Sequence, residues 1–356
     1  MKNHIKIINL YKNRAILNIN PKIPAIKPQN ITVENLSNQI IEGNKVALAQ
    51  GITRIESKAP HHIQFANDLI TKILPYAGKA VRIGITGVPG VGKSTFIESF
   101  GTYCTDVLQK KVAVLAIDPS SSVSKGSILG DKTRMETLVK NDLAFVRPSP
   151  SGTTLGGVAK NTREAILLCE AAGFEIIIIE TVGVGQSETL VKGMVDFFLL
   201  LNITGAGDEL QGIKRGIMEM ADGIIINKAD GDNAKKAIFA QKELERALHY
   251  FPINPSGWIP KVLTYSSLNY EKATDVWQMI TEFVETTQAN QYFFKNRNQQ
   301  NQVWFTETLK EGVLQRFYVD ETIQKAVEIE LEQIKNNQIS PFTAAKNILD
   351  GWVKPN

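Results

Sequence analysis

From residue 81 to residue 265 the chain alternates between six short apolar runs, VRIGIT, VAVLAI, IIIIET, FFLLLNI, GIIIN and KVLTY, and intervening segments of helix length. Runs that are apolar at successive positions are shielded on both faces. That is the property of parallel strands covered by crossover helices. The alternation predicts an α/β fold with a mostly parallel, doubly wound sheet over residues 79–288. Upstream, apolar residues recur at three- and four-residue spacing through Ile40, Ile41, Val46 and Leu48, then Ile63, Ala66, Leu69, Ile70 and Ile73, so residues 33–78 read as an N-terminal helical layer. Downstream, the spacing of Val313, Phe317, Ile323, Val327, Leu331 and Ile334 predicts a helical extension over 289–356. That extension reads equally well as a dimer arm or as helices packed on the core.

The first run leads into Gly87-Val88-Pro89-Gly90-Val91-Gly92-Lys93-Ser94-Thr95 and then a helix-like segment, a full match to GxxxxGK[ST] in the strand-loop-helix setting that motif requires. Glycines let the backbone curl so that successive N–H groups face a phosphate, and the following helix adds its positive end. The fold class is therefore that of a P-loop NTPase. Lys93 is expected at the β- and γ-phosphates and Ser94 at Mg²⁺. Further metal ligands are expected at the carboxyl ends of neighbouring strands. Asp118 ends VAVLAID and Glu180 ends IIIIE, and both readings stand for such acids, magnesium ligand or helix cap. Gly183 lies where a switch glycine donates its N–H to the γ-phosphate.

After GIIIN comes the tetrad Asn227-Lys228-Ala229-Asp230. An aspartate accepts from both N1–H and the exocyclic amine of guanine, and adenine offers neither donor there, so the tetrad predicts GTP as substrate. Ser266, Ser267 and Leu268, after the next run, are placed to close over the base. Many small GTPases carry a water-positioning glutamine directly after the switch glycine. Here that position is Val184, and Gln186, Asp131 and Arg134 remain the candidates for the catalytic group beside Lys93.

Composition narrows the partners. The net charge of +4 is spread among mixed charges, which gives no reason to expect nucleic acid. The apolar runs are strand-sized, which gives none to expect a membrane, and a cytoplasmic location is expected. Residues 1–32 carry six basic side chains and no acidic one and read as a flexible tail. Cys104 and Cys169 stand without metal-ligand spacing and read as buried thiols.

With these residues placed, the chain resembles the methylmalonyl-CoA mutase-associated GTPases, the MeaB family of SIMIBI-class P-loop proteins. The resemblance rests on GITGVPGVGKSTFIE at 84–98, VAVLAIDPSSSVSKGSILGDKTRM at 112–135, FVRPSPSGTTLGGVAKNTREAILLCEAAGFE at 145–175, IIIIETVGVGQSE at 176–188, GAGDELQGIKRGIMEMADGIIINKADG at 205–231 and GWIPKVLTYSSL at 257–268. It implies Asp118, Asp131 and Glu180 around the metal. It also implies that Gly205 to Gly216, with Asp208, Glu209, Lys214 and Arg215, is a mobile switch that relays nucleotide state to a partner. The partner implied is an adenosylcobalamin-dependent acyl-CoA mutase, methylmalonyl-CoA mutase foremost, with the cobalamin held by the mutase and this chain a homodimeric chaperone. Ser267 departs from the alanine usual in the family, and the basic tail has no clear counterpart there. Two other functions stay open: a nucleotide-driven component of basic amino acid transport, and metal insertion. The latter is disfavoured by four scattered histidines.

Overall fold

The computed structural model describes residues 31–57, 59–117, 135–148, 155–181, 187–204, 215–252, 254–268, 270 and 272–352. A seven-stranded, all-parallel sheet runs through its centre in the order β3-β2-β4-β1-β5-β6-β7. Its strands are β1 (Val81–Gly87), β2 (Val112–Ile117), β3 (Ala144–Arg147), β4 (Ile176–Thr181), β5 (Phe197–Ile203), β6 (Gly223–Asn227) and β7 (Lys261–Thr264). Six of these strands are the six apolar runs. The seventh, β3, escapes the sequence reading because it is a four-residue edge strand, AFVR, paired on one side only and three-quarters half-buried. An edge strand has no need of the doubly apolar pattern that marks its neighbours.

The two faces of the sheet show why a run such as IIIIE works as a strand. Ile177 and Ile179 point into one core and Ile176 and Ile178 into the other, and Ile224, Ile225 and Ile226 divide in the same way. With side chains alternating across a strand, four successive isoleucines feed both layers. One face is covered by α4 (Lys93–Asp106), α5 (Glu136–Lys140) and α10 (Ala273–Ala289). The other carries α6 (Leu155–Ala171), α7 (Ser187–Lys192), α8 (Arg215–Met220) and α9 (Ala234–Leu248).

Among the described residues, three α-helices precede the sheet, α1 (Val33–Ile41), α2 (Lys45–Ile55) and α3 (Pro60–Ile73), the first two started by Thr32 and Asn44 side chains that accept from first-turn N–H groups. Leu36, Ile40, Leu48, Ile52, Leu69 and Ile73 are buried in the same core as α6. Val46 and Ile63, which the spacing placed with that apolar set, lie on the outer side. The tail proposed over 1–32 falls outside the described residues, apart from 31 and 32. Both cysteines are buried free thiols on helices, as expected.

At the C-terminus, α11 (Tyr292–Val319) runs for 28 residues and is followed by α12 (Glu321–Lys335) and α13 (Pro341–Trp352). Arg297 fastens α11 to the amino edge of the sheet. Its guanidinium donates to both carboxylate oxygens of Asp196 at 2.6 and 2.7 Å and to the carbonyls of Gly78 and Ala80. Beside it, Arg82 makes a two-pronged pair with Glu170 at 2.9 and 3.0 Å.

Gly84 sits in the middle of β1, where α7 lies directly on the strand. A methyl group there would stand 2.7 Å from Val191 Cγ1 and 2.9 Å from Phe198 Cδ2. Gly84→Ala is therefore expected to destabilise the fold by about 1–3 kcal/mol through overpacking. Urea unfolding of the two proteins measures the difference.

Candidate nucleotide site

Four strand ends, of β4, β1, β5 and β6, lie side by side at the carboxyl edge of the sheet. Ile85 pairs with Glu180, Gly87 with Leu201, and Ile203 with Asn227, which sets the loop after β1 between the end of β4 and the end of β6. This is the crevice where open α/β sheets collect ligands.

The loop has the backbone the motif requires. Gly90 and Gly92 take φ of 81° and 91°, and Gly92 opens α4 from the left-handed region. A side chain at Gly92 would be strained by that φ and would meet Asn227 Nδ2 at 2.9 Å. Lys93 begins the helix and folds back into the loop, its ammonium donating to the Gly87 carbonyl at 2.8 Å. It is 8% exposed, and burial pushes its pKa down, while the carboxylates of Glu180 and Glu188 pull it upward. A lysine held within its own loop between two acids is a fixed positive centre for transferred phosphate charge.

Ser94 follows on the first turn, and its hydroxyl donates to Glu180 Oε1 at 3.2 Å. A buried carboxylate and a hydroxyl are hard oxygen donors side by side, a set that suits Mg²⁺ better than a softer metal. Behind them Thr181 donates to Thr86 at 3.0 Å, a buried bond that ties β4 to β1 just below the loop. Thr95 points outward and is exposed.

The tetrad is locked onto this loop. The Asn227 amide donates to the Val91 carbonyl at 3.0 Å, and Lys228 Nζ donates to the Gly90 carbonyl at 2.9 Å. Asn227 Oδ1 accepts from the Ser267 hydroxyl at 2.9 Å, and Asp230 Oδ2 accepts from the Ser266 hydroxyl at the same distance. Ser266 and Ser267 are thus tied to the tetrad, whereas Leu268 stays exposed at the rim. Half-buried Asp230 keeps Oδ1 and the second lone pair of Oδ2 as acceptors for a base.

Three features here were missed in the sequence. Asn227 and Lys228 serve as clamps on the loop after β1, for which the signal was an amide and an ammonium side by side at a strand end. Glu188 is 1% exposed and acts electrostatically on Lys93. Its signal was an acid in the first turn of α7, the helix that follows Gly183 in the sequence. Asn233 donates to the Lys228 carbonyl at 2.7 Å and accepts from the Thr204 hydroxyl, linking the tetrad to the end of β5. Asp118, Asp131, Arg134, Gly183, Gln186 and residues 205–214 lie outside the described residues.

The model of the family described as "Methylmalonyl Co-A mutase-associated GTPase MeaB" matches residues 48–322. The GTPase ArgK of Escherichia coli is 44% identical over 309 residues, covering 86% of this chain and 92% of that protein. The mitochondrial methylmalonic aciduria type A homolog of Mus musculus is 41% identical over 330 residues, 90% of this chain and 79% of that one. A crystal structure described as LAO/AO transport system kinase superposes with a TM-score of 0.71 at 37% identity, covering 90% of this chain and 98% of that one. The loop after β1 and the tetrad after β6 are hydrogen-bonded into one site, and a match of this length to proteins named GTPases establishes that the chain is a GTPase and belongs to the methylmalonyl-CoA mutase-associated GTPase MeaB family.

Proposed function

We propose that this GTPase uses Mg²⁺-dependent hydrolysis to gate the loading of adenosylcobalamin into an acyl-CoA mutase, methylmalonyl-CoA mutase or a close relative, and to protect the loaded enzyme. The observation that carries the reading is the clamp itself. Because Asn227 and Lys228 hold the carbonyls of Val91 and Gly90, anything that shifts the phosphate loop also shifts the base reader. Such a site responds as a unit to nucleotide state, the behaviour a timer requires. The mutase itself is suggested by the family's name and by the relative named for methylmalonic aciduria.

Mg²⁺ would be held by Ser94 and Glu180, with Asp118 and Asp131 as the further acids, and would supply charge neutralisation on the phosphates. The chain's own contribution is separate. Lys93 stabilises charge on the transferred phosphoryl group, the loop glycines present N–H groups to it, and Asp230 fixes the guanine. Gln186, Asp131 and Arg134 are the groups proposed to orient the attacking water.

The C-terminal helices support a homodimer. Phe305 and Leu309 on one side of α11, Leu314 and Tyr318 on its other side, and Phe342 and Leu349 on α13 are exposed apolar side chains that a second copy of the chain would cover. We place the chain's work in the cytoplasm. No described helix is long and apolar enough to cross a membrane. In domain terms, the reading keeps a helical layer over 33–78, a nucleotide core over 79–288 and an extension over 289–356.

The relay to the partner is proposed to leave the site through Asn233, since Thr204, its hydrogen-bond donor, directly precedes the segment that resembles the family's mobile switch. Asn233→Ala is expected to weaken GTP binding only a fewfold and to reduce mutase stimulation of hydrolysis by about tenfold. Nucleotide titration and turnover measured with and without mutase distinguish the two effects. The function as a whole is tested by capture from the native cell extract on the immobilised GTPase. Recovery of an adenosylcobalamin-dependent mutase in a nucleotide-dependent manner is the expected result, and recovery of a membrane transporter instead would replace the reading.

A further inference from the structure

The tetrad after β6 turns in a way its residue types do not favour. Lys228 has φ of 57°, in the left-handed region that side chains other than glycine seldom enter. Such a conformation persists where its surroundings impose it. Part of the support is local, since the Asn233 amide donates to the Lys228 carbonyl at 2.7 Å. The rest comes from the chain after β7. Tyr265 N–H donates to the Ile226 carbonyl at 2.9 Å and Ala229 N–H donates to the Tyr265 carbonyl at 3.0 Å, which carries the pairing of β6 with β7 past the strand ends. This register lays two serines alongside the tetrad. Each takes one partner, Ser266 Oγ donating to Asp230 Oδ2 and Ser267 Oγ to Asn227 Oδ1, both at 2.9 Å.

The second of these bonds bears on the phosphates, although Ser267 stands on the base side. Asn227 is 1% exposed, and its Nδ2 donates to the Val91 carbonyl in the loop after β1 at 3.0 Å. Gly92 lies so close that a methyl group there would stand 2.9 Å from the same Nδ2. The amide works in one orientation only. Turned over, it would set its oxygen against the Val91 carbonyl, acceptor against acceptor. With Nδ2 fixed on Val91, the oxygen of so buried a side chain needs a donor, and the Ser267 hydroxyl is that donor. Alanine at 267 would offer none.

We propose that Ser267 is a positioning residue that couples the base side of the site to the phosphate side, so that the two ends of a guanine nucleotide are held by one rigid unit. It acts through Asn227 and not on the base. The path is short and continuous, from Ser267 to Asn227 to Val91, by bonds of 2.9 and 3.0 Å. Guanine itself is left to Asp230, which has a serine of its own in Ser266. Without the Ser267 hydroxyl, the loop and the tetrad can shift against each other. Each end of a nucleotide then keeps its own contacts, but holding both at once requires the two parts to be ordered together on binding.

The test titrates GDP, guanosine and pyrophosphate, with Mg²⁺ present, against the full chain and its Ser267→Ala and Ser267→Thr variants. Ser267→Ala is expected to weaken GDP by about tenfold, the scale of a buried amide oxygen deprived of its donor. Guanosine and pyrophosphate each fill one side alone, and both are expected to change by less than about twofold. Ser267→Thr keeps a hydroxyl on the same carbon and is expected to bring GDP binding back to within about threefold of the original. Equal weakening of GDP and guanosine overturns the proposal, because Ser267 would then act on the base directly. Unchanged GDP binding by Ser267→Ala overturns it as well, whatever urea unfolding shows, because the hydroxyl would then serve only to brace the fold. The comparison of GDP with guanosine on Ser267→Ala decides the matter even if Ser267→Thr fails to fold.

Discussion

Replacing Lys93 with alanine is expected to lower GTP hydrolysis by about a hundredfold or more. The ammonium is a buried positive charge donating to the Gly87 carbonyl inside the phosphate loop, with Glu180 and Glu188 close enough to raise its pKa against the effect of burial. Among the described residues, the neighbouring ammonium of Lys228 cannot replace it, since it is committed to the carbonyl of Gly90. Alanine removes the positive charge beside Glu180 and Glu188, which is expected to penalise the transition state more than the ground state. Ser94→Ala is expected to fall by a similar order and, in addition, to lose its dependence on added magnesium. Single-turnover hydrolysis followed across a magnesium series measures both. Retention of activity within a fewfold by either variant would remove that residue from its role.

Asp230→Asn is expected to reverse the base preference. The carboxylate is held by the Ser266 hydroxyl through Oδ2, a bond that an asparagine carbonyl can still accept, so the substitution keeps the geometry and changes only what faces the base. An amide offers one acceptor and one donor where guanine requires two acceptors, whereas xanthine, with a carbonyl in place of the amine, is matched. GTP binding should weaken by about a hundredfold or more, and xanthosine triphosphate binding should improve by a comparable factor. Titration of both nucleotides against both proteins is the measurement. An unchanged preference would mean that the base is read elsewhere.

The parts of the site legible in the sequence are those in which local backbone chemistry forces the residue type. Gly90 and Gly92 adopt positive φ, and Lys93 and Ser94 follow on a helix that must start there, so the loop could be recognised without any knowledge of packing. The six apolar runs were legible because burial on both faces leaves no choice of side chain, as Ile176 to Ile179 show by dividing between two cores. What stayed hidden depends on tertiary placement. Strand β3, AFVR, is too short to stand out, and only its pairing with β2 reveals it. The roles of Asn227, Lys228 and Asn233 as clamps depend on which carbonyls lie opposite, 135 to 138 positions away in the chain for the first two. Glu188 became visible as a partner of Lys93 only once β4 and β1 lay side by side.

The central claim is that nucleotide turnover here serves a mutase. GTP hydrolysis by the purified GTPase should therefore be measured alone and with cofactor-free methylmalonyl-CoA mutase, together with transfer of adenosylcobalamin into that mutase. The account predicts slow turnover alone, because Val184 stands where a self-sufficient enzyme keeps its glutamine. It predicts acceleration of roughly tenfold or more on adding mutase, with cofactor transfer that depends on GTP. Fast turnover that ignores every adenosylcobalamin-dependent mutase tested, with cofactor transfer independent of nucleotide, would contradict it.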